Sequence, residues 1–451
     1  MEVYVLDKEL KIVGILDDYN SLIWTERYAE AGDFQLDLPA SYDKVKLLQR
    51  DRYLKIKDSN ETMIIESISI KTENRAPHMT VTGRSLVSIL DRRVVLGVRY
   101  FNMEGQDGSL LNQNIWQIVR RIVDENVVTP EENPINTDVE AESPVNDKAL
   151  VNYHNIMKNN RKINKLQLPS EEYYQNDNIK LLFDPYGKIN DKHPKNLQFN
   201  GETIYDAVKT VCNKYNLGFT ISEYSNVVGI GANTPFVFYI YDGQNRIYEK
   251  QPPKFDGTSK NDPVILSPKF DNIANISYSK TSNGFKTIML ATGEEDGDKT
   301  RPWAIVDAYG NAIGYADDYS QITTDNEPSD LDLRESIHDL SSEVTMKGDS
   351  SNEEVQDLTD EQYSKALIDR AMDVLNDQNK ALEAMDGEII NNIRYKVKED
   401  YDLGDIIEMD DGLGHSRWMR VTEIIYAHNN SGYKIYPTLA LYEKDEYQQR
   451  N

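Results

Sequence analysis

The chain has 451 residues, a formal net charge of −26, 28 tyrosines and one cysteine. A single hydrophobic core stops growing near roughly 250 to 300 residues, so this length predicts several domains. The negative charge repels a phosphate backbone and argues against sequence-specific nucleic-acid binding. Because Cys212 is the only cysteine, an intrachain disulfide is excluded. No apolar stretch approaches the roughly 18 residues of a membrane span, so we expect no membrane insertion by this chain.

Residues 1–98 predict β-structure. Apolar residues at positions 34, 36 and 38 alternate with polar ones, which is the period of a half-buried strand. Further strands are predicted at 53–57, 62–70 and 79–82. Gly83 is expected to break the last of these strands, and Ser85 to cap a short helix after it.

Residues 99–265 change to a mixed pattern and predict an inserted α/β domain. Apolar residues repeat at helical spacing from Ile115 to Val123, and a second helix is predicted to begin at Thr203. Between these helices, residues 129–198 are polar and lack periodicity, which indicates an elaborated polar insertion.

Residues 301–387 predict another insertion, in which a polar segment precedes a long helix. Thr359 and Gln362 have the spacing of a capping box at the start of that helix. Gly387 is expected to lie just past its end, where glycine is common.

Residues 266–300 and 388–445 predict a second β-domain that repeats the first. At one constant offset, the last two strands of the chain align with the strands at 62–70 and 79–82. The matched pairs are Met63 with Met419, Ile65 with Val421, Ile68 with Ile424, and Met79 with Ile435. A Gly-Asp pair precedes each copy, at Gly32-Asp33 and at Gly404-Asp405, although at different distances from the hairpin. The predicted fold class is therefore mixed β and α+β multidomain, with two related small, tube-like β-barrel domains and inserted α/β domains.

Three segments carry a family resemblance. Residues 24–39 and 81–93, together with Tyr401–Asp405 at the start of the last β-segment, resemble the hub proteins of long phage tails. This group includes the baseplate hubs of contractile tails and the N-terminal part of tail-associated lysins and prophage tail endopeptidases. The candidate motif and assembly residues are Trp24, Arg27, Tyr28, Gly32, Asp33, Gly83, Arg84, Arg92, Arg93, Gly404 and Asp405.

The resemblance implies a non-catalytic structural protein of the virion tail, assembled in the host cytoplasm, with no cofactor and no metal. It implies a homotrimeric ring that contacts the distal tail protein ring, the tape measure protein, and tail fibre or tip proteins. The ring lines or plugs the channel for DNA ejection. A trimer of a duplicated chain presents six near-equivalent units, which suits a sixfold tail tube.

Two alternatives stay open at this point. The first is a tail-associated peptidoglycan peptidase or glycosidase. The six histidines lack metal-ligand spacing, and neither a nucleophile elbow nor a phosphate-binding loop is present. Carboxylate pairs for glycoside hydrolysis depend on a separation in the fold that sequence does not give. The second alternative is a carbohydrate-binding receptor module, which predicts an exposed patch of Tyr and Trp within residues 129–198.

Overall fold

The structure is a computed structural model of the chain. It describes residues 1–73, 76–96, 98–102, 113–130, 145–169, 189, 193–223, 236–247, 262–295, 301–314, 330–346, 358–380, 383–390, 395–430 and 432–442. Of the predicted polar insertion at 129–198, residues 131–144, 170–188 and 190–192 lie outside the described residues, and the described remainder includes the helix Val145–Arg161.

The first part of the chain is a series of antiparallel strands. Its elements are β1 (Val3–Leu6), β2 (Ile12–Leu16), β3 (Ser21–Arg27), β4 (Asp33–Pro39), α1 (Tyr42–Leu47), β5 (Tyr53–Ile56), β6 (Met63–Glu73), β7 (Ala76–Ser85) and the 3-10 helix Leu86–Arg92. The predicted strands are confirmed, but β7 runs through Gly83, so the predicted break there is wrong. Glycine instead permits a close approach of β6, because a Cβ at Gly83 would lie 1.8 Å from the Ile64 carbonyl oxygen. Ser85 occupies the predicted N-cap, but its hydroxyl accepts a hydrogen bond from the Gly32 N–H rather than from the helix.

The next part packs helices against short strands. Its elements are β8 (Val98–Phe101), α2 (Ile115–Val123) with a π-helical extension (Asp124–Val128), α3 (Val145–Arg161), β9 (Leu166–Gln167), β10 (Leu197–Asn200), α4 (Ile204–Lys214), β11 (Gly218–Glu223) and β12 (Phe236–Tyr241). Both predicted helices are confirmed, and the Thr203 hydroxyl caps α4 by accepting from the Asp206 N–H. Their apolar stripes are buried in one core with β11 and β12.

The third part contains more strand than the sequence predicts. Its elements are β13 (Ile265–Leu266), the 3-10 helix Pro268–Phe270, β14 (Ile273–Lys280), β15 (Ile288–Thr292), β16 (Trp303–Asp307), β17 (Ala312–Gly314), the 3-10 helix Asp330–Asp332, β18 (Glu335–Asp339), α5 (Asp360–Lys380) and β19 (Glu383–Ile389). Strands β15 to β18 form a sheet that packs against α5. The capping box is confirmed by reciprocal hydrogen bonds between Thr359 and Gln362. The predicted position of Gly387 is wrong: α5 ends at Lys380, and Gly387 lies inside β19, because residues 383–389 pair with β14.

The chain ends with β20 (Ile406–Asp410), β21 (Ser416–Asn429) and β22 (Gly432–Leu441). These strands join the N-terminal ones in a single sheet of eleven strands, in the order β13-β20-β21-β3-β4-β7-β6-β5-β1-β2, with β22 also pairing with β21. Residues 423–429 of β21 pair antiparallel with all seven residues of β3. Both ends of the chain therefore build one sheet and one hydrophobic core.

The two predicted repeat hairpins have the same register and the same irregularity. In β6–β7, Met63 pairs with Ser85, and in β21–β22, Met419 pairs with Leu441. Both residue numbers of the later pair exceed those of the earlier pair by 356. Every other pair of the first ladder recurs at this offset, and both ladders shift register at the same step, after Ile65 and after Val421. The repeat of the hairpin is confirmed.

The two Gly-Asp pairs are not structurally equivalent. Strand β5 pairs with β6 as β20 pairs with β21, so Tyr53 corresponds to Ile406. The Asp51 N–H donates to the Ile65 carbonyl, and the Gly404 N–H donates to the equivalent Val421 carbonyl. Both residues have positive φ, +64° at Asp51 and +89° at Gly404. The structural counterpart of Gly404 is therefore Asp51, and Gly32 directly precedes a different strand, β4.

The mixed class is confirmed, with sheet as its main component, but two separate barrels are not. The pairing of β3 with β21 joins the two copies edge to edge, and no closed barrel is present among the described strands. The copies also diverge beyond their common strands, since β1 lies antiparallel to β5 whereas β13 lies parallel to β20. The predicted domain boundaries stay a prediction.

Within the described ranges, none of the helices combines the length and the apolar character needed to cross a membrane.

Candidate functional site

Several motif residues meet where the two ends of the chain contact the inserted α/β segment. We call this place the junction and define it by Tyr28, Asp242, Gly404, Asp405 and Arg420. Tyr28 directly follows β3 and links the neighbouring segments through its backbone. Its N–H donates to the Thr422 carbonyl at 2.9 Å, and its carbonyl accepts from the Phe219 N–H at 3.1 Å.

The Tyr28 ring is held between two glycines. A Cβ at Gly404 would lie 2.4 Å from the ring, and a Cβ at Gly218 would lie 2.5 Å from it. Gly404 has a φ of +89°, in the left-handed region that favours glycine. A side chain at either position would displace the ring, so these glycines permit the contact between the three segments.

Arg420, on β21, places its guanidinium over the Tyr28 ring and against the polar atoms beside it. Its Cζ lies 4.7 Å from the ring centroid, in cation–π geometry. Its Nη1 lies 2.6 Å from the Gly404 carbonyl oxygen, 2.9 Å from the Tyr28 hydroxyl and 3.1 Å from Asp242 Oδ1. Arg420 is 5% exposed and Asp242 2% exposed. A buried ion pair needs such additional hydrogen bonds to offset its desolvation.

The Tyr28 hydroxyl is neutral in this setting. Burial and the nearby Asp242 carboxylate raise the pKa of Tyr28 well above its ordinary value, although the Arg420 charge acts in the opposite direction. The hydroxyl therefore serves as a hydrogen-bonding group rather than as a base.

Asp405 connects the last β-segment to the loop after β12. Its Oδ2 pairs with Arg246 Nε at 2.6 Å, and its Oδ1 accepts from the Gln244 N–H at 2.8 Å. Oδ2 also accepts from the Asp402 N–H at 3.0 Å. Burial raises the pKa of Asp405, and these hydrogen bonds partly oppose that effect. The carboxylate thus fixes the loop conformation of its own segment and of the inserted one.

Arg27 makes a second link between the chain ends. Its Nε contacts Glu423 Oε1 on β21 at 2.7 Å, and its Nη1 contacts Asp33 Oδ2 at 2.8 Å and the Ala31 carbonyl at 3.1 Å. Asp33 itself opens β4. Arg27, Asp33 and Glu423 together hold the β3–β4 turn against β21.

A buried acidic cluster lies beneath β3. Trp24 Nε1 donates to the Ser59 hydroxyl at 3.0 Å, and that hydroxyl donates to Glu26 Oε1 at 2.5 Å. Glu26 Oε2 pairs with Lys398 Nζ at 2.7 Å. Burial and the charge of Glu26 raise the pKa of the neighbouring Glu61 well above its ordinary value, opposed by Lys398, Ser85 and Arg27. Glu61 Oε2 has no hydrogen-bond partner among the described residues. Glu61 is therefore a buried acid for which the neutral form is favoured.

The remaining candidate residues lie outside the junction. Arg84, on β7, holds Glu66 with two nitrogens at 3.0 and 3.1 Å and Asp91 at 3.1 Å. Arg92 is exposed and lies 3.5 Å from Asp51. Arg93 Nε lies 3.4 Å from the Arg161 carbonyl. Gly32 and Gly83 serve close backbone packing between strands.

Sequence reasoning missed Asp242, Arg420, Glu26, Glu61 and Lys398. For Glu26 a signal was available, because it follows Leu22 and Trp24 at the two-residue period of the buried face of β3. The others come from segments that are distant in sequence. Among the described residues, no group of three or more His, Cys, Asp or Glu side chains is placed to hold a metal ion.

We expect Tyr28→Phe to destabilise the protein by about 2 kcal/mol, because the buried Arg420 and Asp242 side chains each lose one hydrogen-bond partner. Denaturant unfolding of the purified chain measures this change. Tyr4→Phe is the matched control, since the Tyr4 hydroxyl bonds only to Glu2 at the surface, and we expect it to change stability by less than about 0.5 kcal/mol. Equal effects of the two substitutions would contradict the role of the junction.

We expect Glu61→Gln to stabilise the protein at pH 8, by on the order of 1 kcal/mol, and to have little effect at pH 4. A raised pKa in the folded state means that the stability contributed by the protonated acid is present below the ordinary glutamate pKa and is lost as pH rises. The amide stays neutral throughout, so the difference between variant and wild type should grow with pH. Unfolding free energies across this pH range, with Glu9→Gln at an exposed site as the control, provide the measurement. A difference that does not change with pH would show that folding leaves the pKa of Glu61 unchanged, and it would contradict the buried neutral acid.

Three solved structures are similar to this chain: the tail protein from Neisseria meningitidis MC58 (10% identity, TM-score 0.47, covering 98% of this chain and 96% of that one), the 43 kDa tail protein of prophage MuSo2 from Shewanella oneidensis (12%, 0.48, 98% and 98%), and the prophage tail protein gp18 from Listeria monocytogenes EGD-e (12%, 0.43, 100% and 97%). Because each TM-score is below 0.5, these likenesses carry no part of the assignment.

The assignment rests on sequence. No curated protein matches the chain. The sequence model of the Siphovirus ReqiPepy6 Gp37-like protein family matches residues 2–439, which spans nearly the whole chain and confirms the predicted resemblance to phage tail proteins. The chain therefore belongs to the Siphovirus ReqiPepy6 Gp37-like family of siphovirus tail proteins.

Proposed function

We propose that this virion tail component is a structural hub, in which three copies form a ring at the distal end of the tail. The ring joins the distal tail protein ring and the tape measure protein to fibre or tip proteins, and it lines or plugs the channel through which DNA is ejected.

The observation that carries this proposal is the repeated hairpin. Two hairpins with the same register and the same irregularity, at β6–β7 and β21–β22, give each chain two similar structural units. A closed ring of three such chains presents six similar units, which can match a sixfold tube. A duplicated chain thereby resolves the mismatch between threefold and sixfold symmetry.

The contacts in the junction support a role in transmitting force between neighbouring proteins. Backbone bonds from Tyr28, the Arg420–Asp242 pair and the Asp405–Arg246 pair fix the inserted segment to the sheet. A hub transmits force between its neighbours, so its segments must not move independently. Polar contacts of this kind hold a defined geometry.

A structural role also fits the state of the ionisable groups. Glu26, Asp242 and Asp405 are buried and paired with cations, and Glu61 is buried beside them, so a substrate does not reach them in this conformation. Strongly shifted pKa values often mark active sites, but here burial in the junction and in the acidic cluster accounts for them. We therefore propose a non-enzymatic hub over the peptidase, glycosidase and sugar-binding alternatives.

We expect the full-length protein to assemble into particles of three chains with six lobes around a centre. Light scattering gives the mass, and electron-microscope class averages give the symmetry. A chain that stays monomeric at every concentration, or a ring with another number of copies, would contradict the trimeric hub.

The same preparation separates the hub from its alternatives. We expect no release of soluble fragments from purified peptidoglycan, with a lysozyme as the positive control, and no retention on bacterial cell-wall glycans. Peptidoglycan digestion or glycan binding by a monomer would favour the enzyme or the receptor module instead.

A further inference from the structure

One half of β6 forms an open sheet edge. Residues 63 and 64 pair with β5 on one side and β7 on the other, but residues 67–73 pair only with β7 among the described strands. We call residues 67–73 the β6 edge. Ser67, Ser69 and Ile70 are exposed there. An open strand edge is a template for pairing with another strand, and natural proteins usually protect it.

The pairing of β21 with β3 within the chain shows how such an edge can be covered. At the offset of 356, residues 67–73 of β6 correspond to residues 423–429 of β21. Residues 423–429 of β21 do not form a sheet edge, because they pair antiparallel with β3. The second hairpin is thus covered at the very position where the first is open.

Side chains on the β6 edge are more exposed than those at equivalent positions of β21, as expected if β6 lacks a neighbouring strand. Ile424 and Tyr426, on β21, are both 0% exposed. Their counterparts on β6 are Ile68, which is half-buried, and Ile70, which is 48% exposed. Covering the β6 edge would remove this apolar surface from water.

The second half of the chain offers a counterpart of β3. Strand β14 pairs antiparallel with β19 as β3 pairs with β4, and among the described strands it pairs with no other. Ile276 and Tyr278 of β14 pack against the core that Leu22 and Trp24 of β3 enter. When Leu22 is matched with Ile276, Trp24 is matched with Tyr278.

We propose that the β6 edge of one copy pairs antiparallel with β14 of a second copy, as β21 pairs with β3 inside each chain. The inference deepens the proposed ring, on which it rests, and it names the strands that close it. The contact is heterologous, since two different strands meet, and such contacts generate closed rings when the rotation between copies closes.

The internal template also gives the register between the copies. Ile425 pairs with Thr25 in the β21–β3 ladder. At the offset of 356, Ile425 corresponds to Ser69, and with Trp24 matched to Tyr278, Thr25 corresponds to Ser279. The proposed register therefore places Ser69 of one copy opposite Ser279 of the next. Both serines are exposed within a single chain. Opposed residues of an antiparallel ladder have Cβ atoms roughly 4.5 to 5.5 Å apart, close enough for a disulfide after slight adjustment.

Disulfide trapping in the full-length protein tests this register. We expect the double variant Ser69→Cys, Ser279→Cys to cross-link on mild oxidation into covalent species up to the full ring. Cys212 is fully buried, so it does not compete. An equimolar mixture of the two single variants should give covalent dimers and nothing larger, because each chain then carries one of the two cysteines. Each single variant alone should not cross-link.

A second substitution tests the edge without a cross-link. Ile70→Lys places a charge at the proposed contact, so we expect the concentration at half-assembly to rise roughly tenfold or more. Ile12→Lys, at another exposed strand position, is the matched control and should leave assembly unchanged.

The outcomes separate this inference from the hub itself. Wild-type rings whose double variant stays uncross-linked, with Ile70→Lys assembling normally, would overturn the β6–β14 contact and leave the ring standing. That result would assign the edge to a strand of a different tail protein. Absence of both rings and cross-links up to the solubility limit would overturn the contact and the trimeric hub together.

Discussion

The pairing of β21 with β3 is the constraint on which the rest of the structure depends. It joins strands whose linked side chains, Arg27 and Glu423, are 396 positions apart. Seven residue pairs in the ladder bring both ends of the chain into one sheet, so that their apolar faces bury a common core. Of the described strands between β7 and β20 in sequence, β13 alone belongs to this sheet, so the inserted segments leave the sheet and return to it. The inserted segments are therefore excursions whose ends are fixed by this ladder.

The junction shows how such an excursion is fixed. Tyr28 lies at the end of β3, next to the ladder, and it contacts the inserted segment and β21 at once. Removing the Arg420 and Asp242 charges from water is costly, and apolar packing would often serve stability equally well. What the polar contacts add is geometry, because each hydrogen bond has a preferred direction. A protein that holds its neighbours in register within a tail benefits from a fixed orientation of its own segments.

Local patterns predicted much of this fold, and long-range contacts explain where prediction failed. Alternation and capping residues located the strands β4 to β7 and the helices α2, α4 and α5, because those signals act between residues a few positions apart. The hairpin repeat was visible because its apolar positions recur at a fixed offset. Gly387 was assigned to a helix end, yet it lies in a strand because β14 supplies a partner that the local sequence does not reveal.

The Gly-Asp motifs illustrate the same limit. Two identical dipeptides suggested an equivalence, whereas hydrogen-bond register pairs Gly404 with Asp51, a residue of another type that also has positive φ. Separate barrels were predicted because nothing in either copy indicates that β3 pairs with β21. Buried charges such as Arg420 and Glu61 were missed because charged residues are mostly exposed, and only their partners make burial tolerable.

Each chain has one covered and one uncovered copy of the same strand edge, and we propose that assembly covers the second copy. Hydrogen exchange of the backbone amides in residues 67–73 and 423–429, measured in isolated chains and in assembled tails, tests this proposal. Residues 423–429 should be protected in both states, because β3 and β22 pair with both sides of the strand. In residues 67–73, the alternate amides that face away from β7 should exchange rapidly in isolated chains and become protected in the tail. Rapid exchange of those outward-facing amides in the assembled tail would contradict the proposal.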